Sequence, residues 1–222
     1  MKFRYEMHAH TNDVSICAQV TPQCLVEEYI QKGYTGVVLT NHMNQYTFLR
    51  RRFQSWEEKV DYFLAGYHHT RQAAGDRLQV LLGMELTFYD CANDYLVYGF
   101  EENFLYEHGD LMAMDLESFS RLAHQHGAVI YQAHPFRTGM TISDPALLDG
   151  MEVHNGNPSH DSRNDIAAIW AKKFGLSMVS GSDYHVSRCG GQGGILVPEK
   201  AKDIHHLVSM LQHQADLICT KL

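Results

Sequence analysis

The chain has 222 residues, 45% hydrophobic and 20% charged, which suits one globular domain, residues 1–222, with a core that needs no staples. Lysine plus arginine total 18 against 26 aspartates and glutamates, and the formal charge of −8 argues against broad nucleic-acid binding. No stretch reaches the roughly 18 apolar residues of a membrane span, and Met-Lys-Phe-Arg-Tyr-Glu enters strand-like sequence without a signal-peptide core, so no membrane partner and a cytoplasmic location are expected.

Residues 3–7 form a short extended run. Thr21-Pro22 opens a helix, with Thr as cap and Pro at the first helical position, and Gly33 closes it. A buried strand follows at 35–40. Ser55, with Glu58 three positions on, makes a capping box for a helix running to about Gly75. Strands are predicted at 78–84 and 95–100, a helix at 116–126 before Gly127, and strands at 128–133 and 151–154. A helix at 162–174 is closed by Gly175, a strand follows at 177–181, and a terminal helix covers 200–214. Seven strands mostly separated by helices imply a parallel sheet and suit a small α/β barrel.

The five cysteines (Cys17, Cys24, Cys91, Cys189 and Cys219) are odd in number and form no Cys-x-x-Cys pair, which argues against a disulfide framework or a cysteine-rich zinc site. The short basic cluster Arg50-Arg51-Arg52 reads as solvated surface. Histidine stands out, with 15 copies. In a parallel barrel the active site lies at the C-terminal ends of the strands. Those ends carry His8 and His10, His42, Glu85, His134, His154, and Asp183 with His185. Residues two apart on an extended strand share a face, so His8 with His10, and Asp183 with His185, can each point at one ion. Imidazole with carboxylate suits zinc, iron or manganese, and a glutamate's two oxygens can bridge two ions. So many ligands imply two or three divalent metal ions.

His-x-His-Thr at 8–11, Asn-His at 41–42, Gly-x-Glu at 83–85, His-Pro at 134–135 and Asp-x-His at 183–185, in that order, resemble the PHP (polymerase and histidinol phosphatase) family over nearly the whole chain. The resemblance implies a distorted seven-stranded TIM-like (β/α)7 barrel and commonly a three-metal centre. Many members hydrolyse phosphate monoesters, and others act on other phosphoesters. By position, His8, His10, Glu85 and Asp183 would hold one metal, with Glu85 bridging to a second at His134, and His42 with His185 would hold a third. The family usually has an Asp or His shortly before a Thr-Pro pair; here that place falls near Cys17, with Asp13 competing. Glu101, after the fourth strand, and His154, after the sixth, compete as a further ligand of the second metal.

The expected reaction is hydrolysis of a phosphate monoester on a small phosphorylated substrate by hydroxide generated on the metals, with Glu85 at the bridge. Arg137 and then Arg188 are the candidates for orienting phosphate, since a guanidinium fork matches its oxygens. His154 is a candidate proton donor, and Asn41, Asn155 and Asn164 are candidates for orienting ligands. The glycine-rich run 190–194 reads as a flexible rim, and Tyr46, Phe48, Phe53 and Trp56 read as either a lid or a buried helix face. The competing readings are an amidohydrolase-type C–N hydrolase, whose usual strand-end lysine has no counterpart here, and a non-catalytic metal-bound module.

Overall fold

The computed structural model describes residues 2–213 and 215–220; the Arg50 side chain, and Gln214 of the expected terminal helix, lie outside that description. The strands are β1 (Phe3–Ala9), β2 (Gly36–Leu39), β3 (His42–Met43), β4 (Gln79–Leu82), β5 (Met84–Thr87), β6 (Asp94–Tyr98), β7 (Val129–Gln132), β8 (Gly150–Asn155), β9 (Ser177–Gly181), β10 (Gly193–Val197) and β11 (Asp216–Cys219). The α-helices are α1 (Pro22–Gln31), α2 (Trp56–Ala74), α3 (Glu102–Glu107), α4 (Leu116–Gln125), α5 (Asn164–Phe174) and α6 (Ile204–His213). None among the described residues is long and apolar enough to cross a membrane.

Local sequence accounts for the helix ends. Thr21 Oγ1 accepts from the Cys24 N–H at 3.2 Å and starts α1, and Ser55 Oγ accepts from the Glu58 N–H at 3.3 Å and starts α2. Gly175 closes α5 in the left-handed conformation that glycine adopts without strain. Arg51 and Arg52 are exposed, as expected of a solvated cluster.

The sheet differs from an all-parallel arrangement. Two hydrogen-bonded sheets form, in the orders β11-β10-β1-β2-β4 and β3-β5-β6-β7-β8-β9, and no closed ladder joins them among the described residues. The fold is mixed α/β. β6 runs antiparallel to both β5 and β7, and β10 antiparallel to β1 and β11. Residues 88–93, between β5 and β6, are too few for a helical crossover, so the chain must turn back as a hairpin. The strand expected at 78–84 is likewise broken at Gly83, which separates β4 in one sheet from β5 in the other.

The two sheets meet where β1 passes the end of β9. An isolated parallel bridge pairs Ala9 with Tyr184, with the Tyr184 N–H donating to His8 O at 3.2 Å and the His10 N–H to Tyr184 O at 3.1 Å. Glycine is required at this crossing: a Cβ on Gly181 would lie 2.3 Å from His8 Cβ, and one on Gly193 would lie 2.2 Å from Gly181 O. Glu6, fully buried on β1, ties the crossing together. Its Oε1 accepts from the backbone N–H groups of Met7, His8 and Ser182, and its Oε2 from the Tyr29 and Ser182 hydroxyls. Burial pushes the Glu6 carboxyl pKa up, against these hydrogen bonds.

Removing the Glu6 carboxylate would strand several buried donors at once, each costing about 1–3 kcal/mol. Glu6→Ala should therefore lose at least about 3 kcal/mol of stability, read as a lower urea midpoint. A midpoint equal to wild type would contradict the role given to Glu6.

Candidate metal centre

The alternation of β1 puts Glu6, His8 and His10 on one side of the strand, all with no exposure. β3 and β5 are parallel neighbours, and their register sets His42 directly beside Glu85. His134 follows β7, and Asp183 and His185 follow β9. These residues converge on one rim. Groups of ligand atoms close enough to share an ion are His8, His10 and Glu85; His8, His134 and Asp183; Glu85, Asp94 and His134; and His10, His42 and His185.

Glu85 lies at the middle. Its Oε1 is 3.3 Å from His8 Nε2 and 3.1 Å from His134 Nε2, and its Oε2 is 3.3 Å from His10 Nε2 and 2.8 Å from His42 Nδ1. Asp183 Oδ1 is 3.5 Å from the Nε2 atoms of both His8 and His10. Yet His8 Nε2, His10 Nε2, His42 Nδ1, Glu85 Oε2 and His134 Nδ1 are buried without any hydrogen-bond partner. Unpaired buried polar atoms are costly, and here they crowd one spot. Close in distance but misaligned as hydrogen bonds, the first four suit aim at a shared cation. The other unpartnered atoms, on Asp13, His108 and Trp170, do not line the cavity described below.

The backbone is strained at the same place. His134 and Asp183 have φ of 26° and 48°, which non-glycine residues rarely adopt. Hydrogen bonds hold them there: the His134 N–H donates to Glu152 Oε2 at 2.8 Å, and Asn157 Nδ2 donates to Asp183 O at 3.1 Å.

Around the ligands stands a set of orienting groups. Glu152 Oε1 is 2.9 Å from His8 Nδ1, so that nitrogen donates and Nε2 is the one that faces the centre. Asn155 Nδ2 donates to Glu152 Oε2 at 3.0 Å and to Asp183 Oδ2 at 3.2 Å. Asn41 accepts from Ser15 Oγ at 3.0 Å, and Ser15 Oγ lies 3.2 Å from His10 Nδ1. Asn164 does not reach a ligand; it donates to His154 and to Asn155 O. His160, which sequence reasoning did not single out, places Nε2 3.3 Å from Asp183 Oδ2. It sits on a loop beyond β8, with no strand end to mark it.

Charge is held by protons on histidine. Burial resists the charge on His8, but Glu152, Glu85 and Asp183 outweigh it and hold its pKa well above the ordinary value. His10 is held well below, first by burial and then by His185 and His42. Burial opposes ionisation of Glu85 and Asp183, yet their histidine neighbours hold both well below the carboxylate range. A divalent cation would offset the same carboxylate charge and displace these protons.

Cys17 lies beside the group of His10, His42 and His185. Its Sγ is 3.2 Å from His185 Nε2. Burial pushes the thiol up, but hydrogen bonds from His185 and His42 outweigh that and bring its pKa down to about 6. Asp13 turns elsewhere and pairs with His69 Nδ1 at 3.0 Å.

Several expectations need correction. Glu101 is not in the centre: it lies at the other end of β6, exposed and paired with His205 at 3.1 Å. The strand-end rule fails because β6 is antiparallel, so its first residue, not its last, lies on the ligand rim. That residue is Asp94, which the sequence reading missed; its Oδ2 is 3.8 Å from His134 Nε2. The signal was available in the Thr87–Asp94 span, too short for a crossover and ending in a carboxylate. His154 also turns away, with Nε2 donating to Gln192 O at 3.0 Å and Nδ1 facing Asn164. The register shift between Glu152 and His154 breaks the alternation that would have kept it beside Glu152. Arg188 is exposed and does not line the cavity; its backbone N–H donates to Glu28 at 2.8 Å. Arg137 does line it, with Nη2 donating to Asp94 Oδ2 at 3.1 Å. The glycine run is no loose rim: Gly193 and Gly194 belong to β10 and donate to Ser182 and Ser180. Of the aromatic run, Phe48, Phe53 and Trp56 pack into the core, and Tyr46 lines the cavity.

The centre opens into a cavity of about 1140 Å³. Residues 161–215 match the family described as PHP-associated. The fold aligns, at 18% identity and a TM-score of 0.74, with a two-domain protein of Bacteroides vulgatus containing a predicted PHP-like metal-dependent phosphoesterase. The fold is PHP-like. All of this chain aligns to 66% of that protein. PsfC of Pseudomonas syringae aligns at 16% identity and a TM-score of 0.72, over 99% of this chain and 92% of its own. The lesion-specific endonuclease Q of Pyrococcus furiosus aligns at 13% identity and a TM-score of 0.65, over 98% of this chain and 58% of its own. No curated protein sequence matches. The centre fits divalent metal ions on its own geometry, through its unpaired buried atoms and its nitrogen, oxygen and sulfur donors.

Two measurements follow from this charge arrangement. Zinc added to metal-free protein should release protons and bind more weakly at pH 6 than at pH 8, by calorimetry in buffers of different ionisation heat; equal affinity at both would count against histidine and thiolate ligands. With its pKa near 6, Cys17 should be the first cysteine alkylated by iodoacetamide at pH 7, and zinc should protect it. Peptide mapping that finds another cysteine labelled first would contradict this.

Proposed function

We propose that this chain is a metal-dependent phosphoesterase acting on phosphate monoesters. The observation that carries the reading is the crowd of buried, unpartnered imidazole and carboxylate atoms around Glu85, opening into a cavity that also holds a guanidinium. On this reading His8, His10, Glu85 and Asp183 hold one ion, Glu85, Asp94 and His134 a second, and Cys17, His42 and His185 a third, as zinc, manganese or iron. Bound divalent metal supplies Lewis-acid charge and acidifies water, the two things that slow phosphate ester hydrolysis needs most.

The protein's own groups do the rest. Arg137 binds phosphate oxygens with N–H groups that Asp94 leaves unused, and Asp94 fixes the direction of the fork. Glu152 holds the His8 ring in the tautomer that presents Nε2, and Ser15, itself held by Asn41, braces His10. The chain acts as one catalytic unit in which the two sheets form the walls of an open, distorted barrel. A C–N hydrolase has less support, because no lysine among the described residues lines the cavity.

The test is phosphate release from a panel of monoesters by metal-loaded protein. Glu85→Ala and His10→Ala should lower kcat/KM by at least about a thousandfold, and Arg137→Ala by about ten- to a hundredfold. Glu101→Ala, altered on the opposite rim, should match wild type. Full metal loading without turnover of any monoester would sink the reading.

A further inference from the structure

Resting on that phosphoesterase reading, we infer that the substrate carries a single phosphoryl group on a flat, largely apolar ring, and that this ring packs against Tyr89 and Tyr46 at the cavity mouth.

Large exposed apolar side chains are few, and three of them line this one cavity: Tyr46 at 56% exposure, Tyr89 at 40% and Val186 at 41%. Phe88 joins them as a buried part of the lining. A cluster of this kind is a contact surface awaiting an apolar partner. Tyr89 is built to offer its ring and not its hydroxyl. The hydroxyl donates to Asp110 Oδ2 at 2.7 Å, and Lys59 Nζ holds the same oxygen at 3.3 Å. The Tyr89 backbone N–H donates to Met112 O at 2.9 Å, so the residue is fixed at both ends. With the hydroxyl engaged, what remains for a ligand is the ring, which favours stacking with another flat ring.

The charge of the wall limits the other half of the substrate. Arg137 is the one arginine or lysine lining the cavity among the described residues, and it is already paired with Asp94. Asp90 adds an exposed carboxylate to the same lining. The centre can take one phosphoryl group, but a second would meet no free cation and one acidic neighbour. Polyphosphates and long nucleic-acid strands, which need a row of basic groups, are disfavoured for the same reason.

The test is calorimetric binding of phenylphosphonate and methylphosphonate to the zinc-loaded full chain. Neither is hydrolysed, so the result does not depend on turnover. Phenylphosphonate should bind at least about tenfold more tightly, and both Tyr89→Ala and Tyr46→Ala should shrink that ratio at least about threefold. Tyr89→Phe, which keeps the ring and loses the Asp110 anchor, should fall between Tyr89→Ala and wild type. Phenylene-1,4-bisphosphonate should bind no more tightly than phenylphosphonate. A wild-type ratio near one, a ratio undiminished in both alanine variants, tighter binding of the bisphosphonate, or no binding of either monophosphonate at millimolar concentration would each overturn the inference. Phosphate release from benzyl and butyl phosphate, assayed in parallel, judges the hydrolase reading separately. If neither ester is turned over while the phosphonate ratio holds, the ring site stands and the hydrolase reading falls.

Discussion

The centre depends on a single buried carboxylate that binds no ligand. His8 and His10 come from the start of the chain, and Asp183 and His185 from near its end. Nothing local brings these together. Glu6 does so by accepting hydrogen bonds from its own strand, through the Met7 and His8 N–H groups, and from Ser182 across the crossing. The positions of the His8 backbone and of Asp183 are thereby set by one side chain. The close approach at Gly181 and Gly193 lets the strands come near enough for this to work. The helices and both sheets pack in separate apolar clusters, so the geometry of the ligands is a consequence of the seam and not of the core alone.

Much of this was legible in the sequence, and the part that was not has one main physical source. Pairs spaced by two on extended chain, such as His8 with His10, carry their meaning in the backbone repeat, and the structure brings both to one side. Helix starts at Thr21 and Ser55 were readable because capping is a local interaction. Strand direction is not local. A rule that puts function at strand C-termini holds only for strands pointing the same way, and β6 points the other way. Reversing one strand exchanges its ends, sending Glu101 to the far rim and bringing Asp94 in beside His134. His154 failed for a smaller reason of the same kind: one register shift in β8 broke the alternation. His160 had no periodic signal, since loops place residues by contacts made only in the folded chain.

Strain and unpaired atoms at the centre belong together energetically. A left-handed His134 and Asp183, each costing of order 1–3 kcal/mol, persist only where surrounding contacts over-determine them. Glu152 supplies such a contact to His134, and Asn157 to Asp183. The buried ligand atoms add a further cost that protein hydrogen bonds do not relieve. A cation satisfies several of those atoms at once, so ion binding and folding are coupled: whatever binds the folded centre and not the unfolded chain stabilises it by mass action.

The ligand groups also differ in chemistry across the centre. On the Arg137 side, Glu85 and Asp94 bring two carboxylates to one imidazole, a hard, oxygen-rich set. On the other side His10, His42 and His185 bring imidazole alone, with the Cys17 sulfur beside His185. Oxygen-rich sets suit manganese, whereas imidazole with thiolate favours zinc or iron. Because Glu85 touches histidines of both groups, a change of ion on one side alters the charge felt on the other. Were both sides to hold an ion, their occupancy would be linked through one carboxylate. On the proposed phosphoesterase reading the same gradient would orient the substrate: phosphate would meet Arg137 on the carboxylate side, where the guanidinium offsets the negative charge that Glu85 and Asp94 would otherwise turn against it.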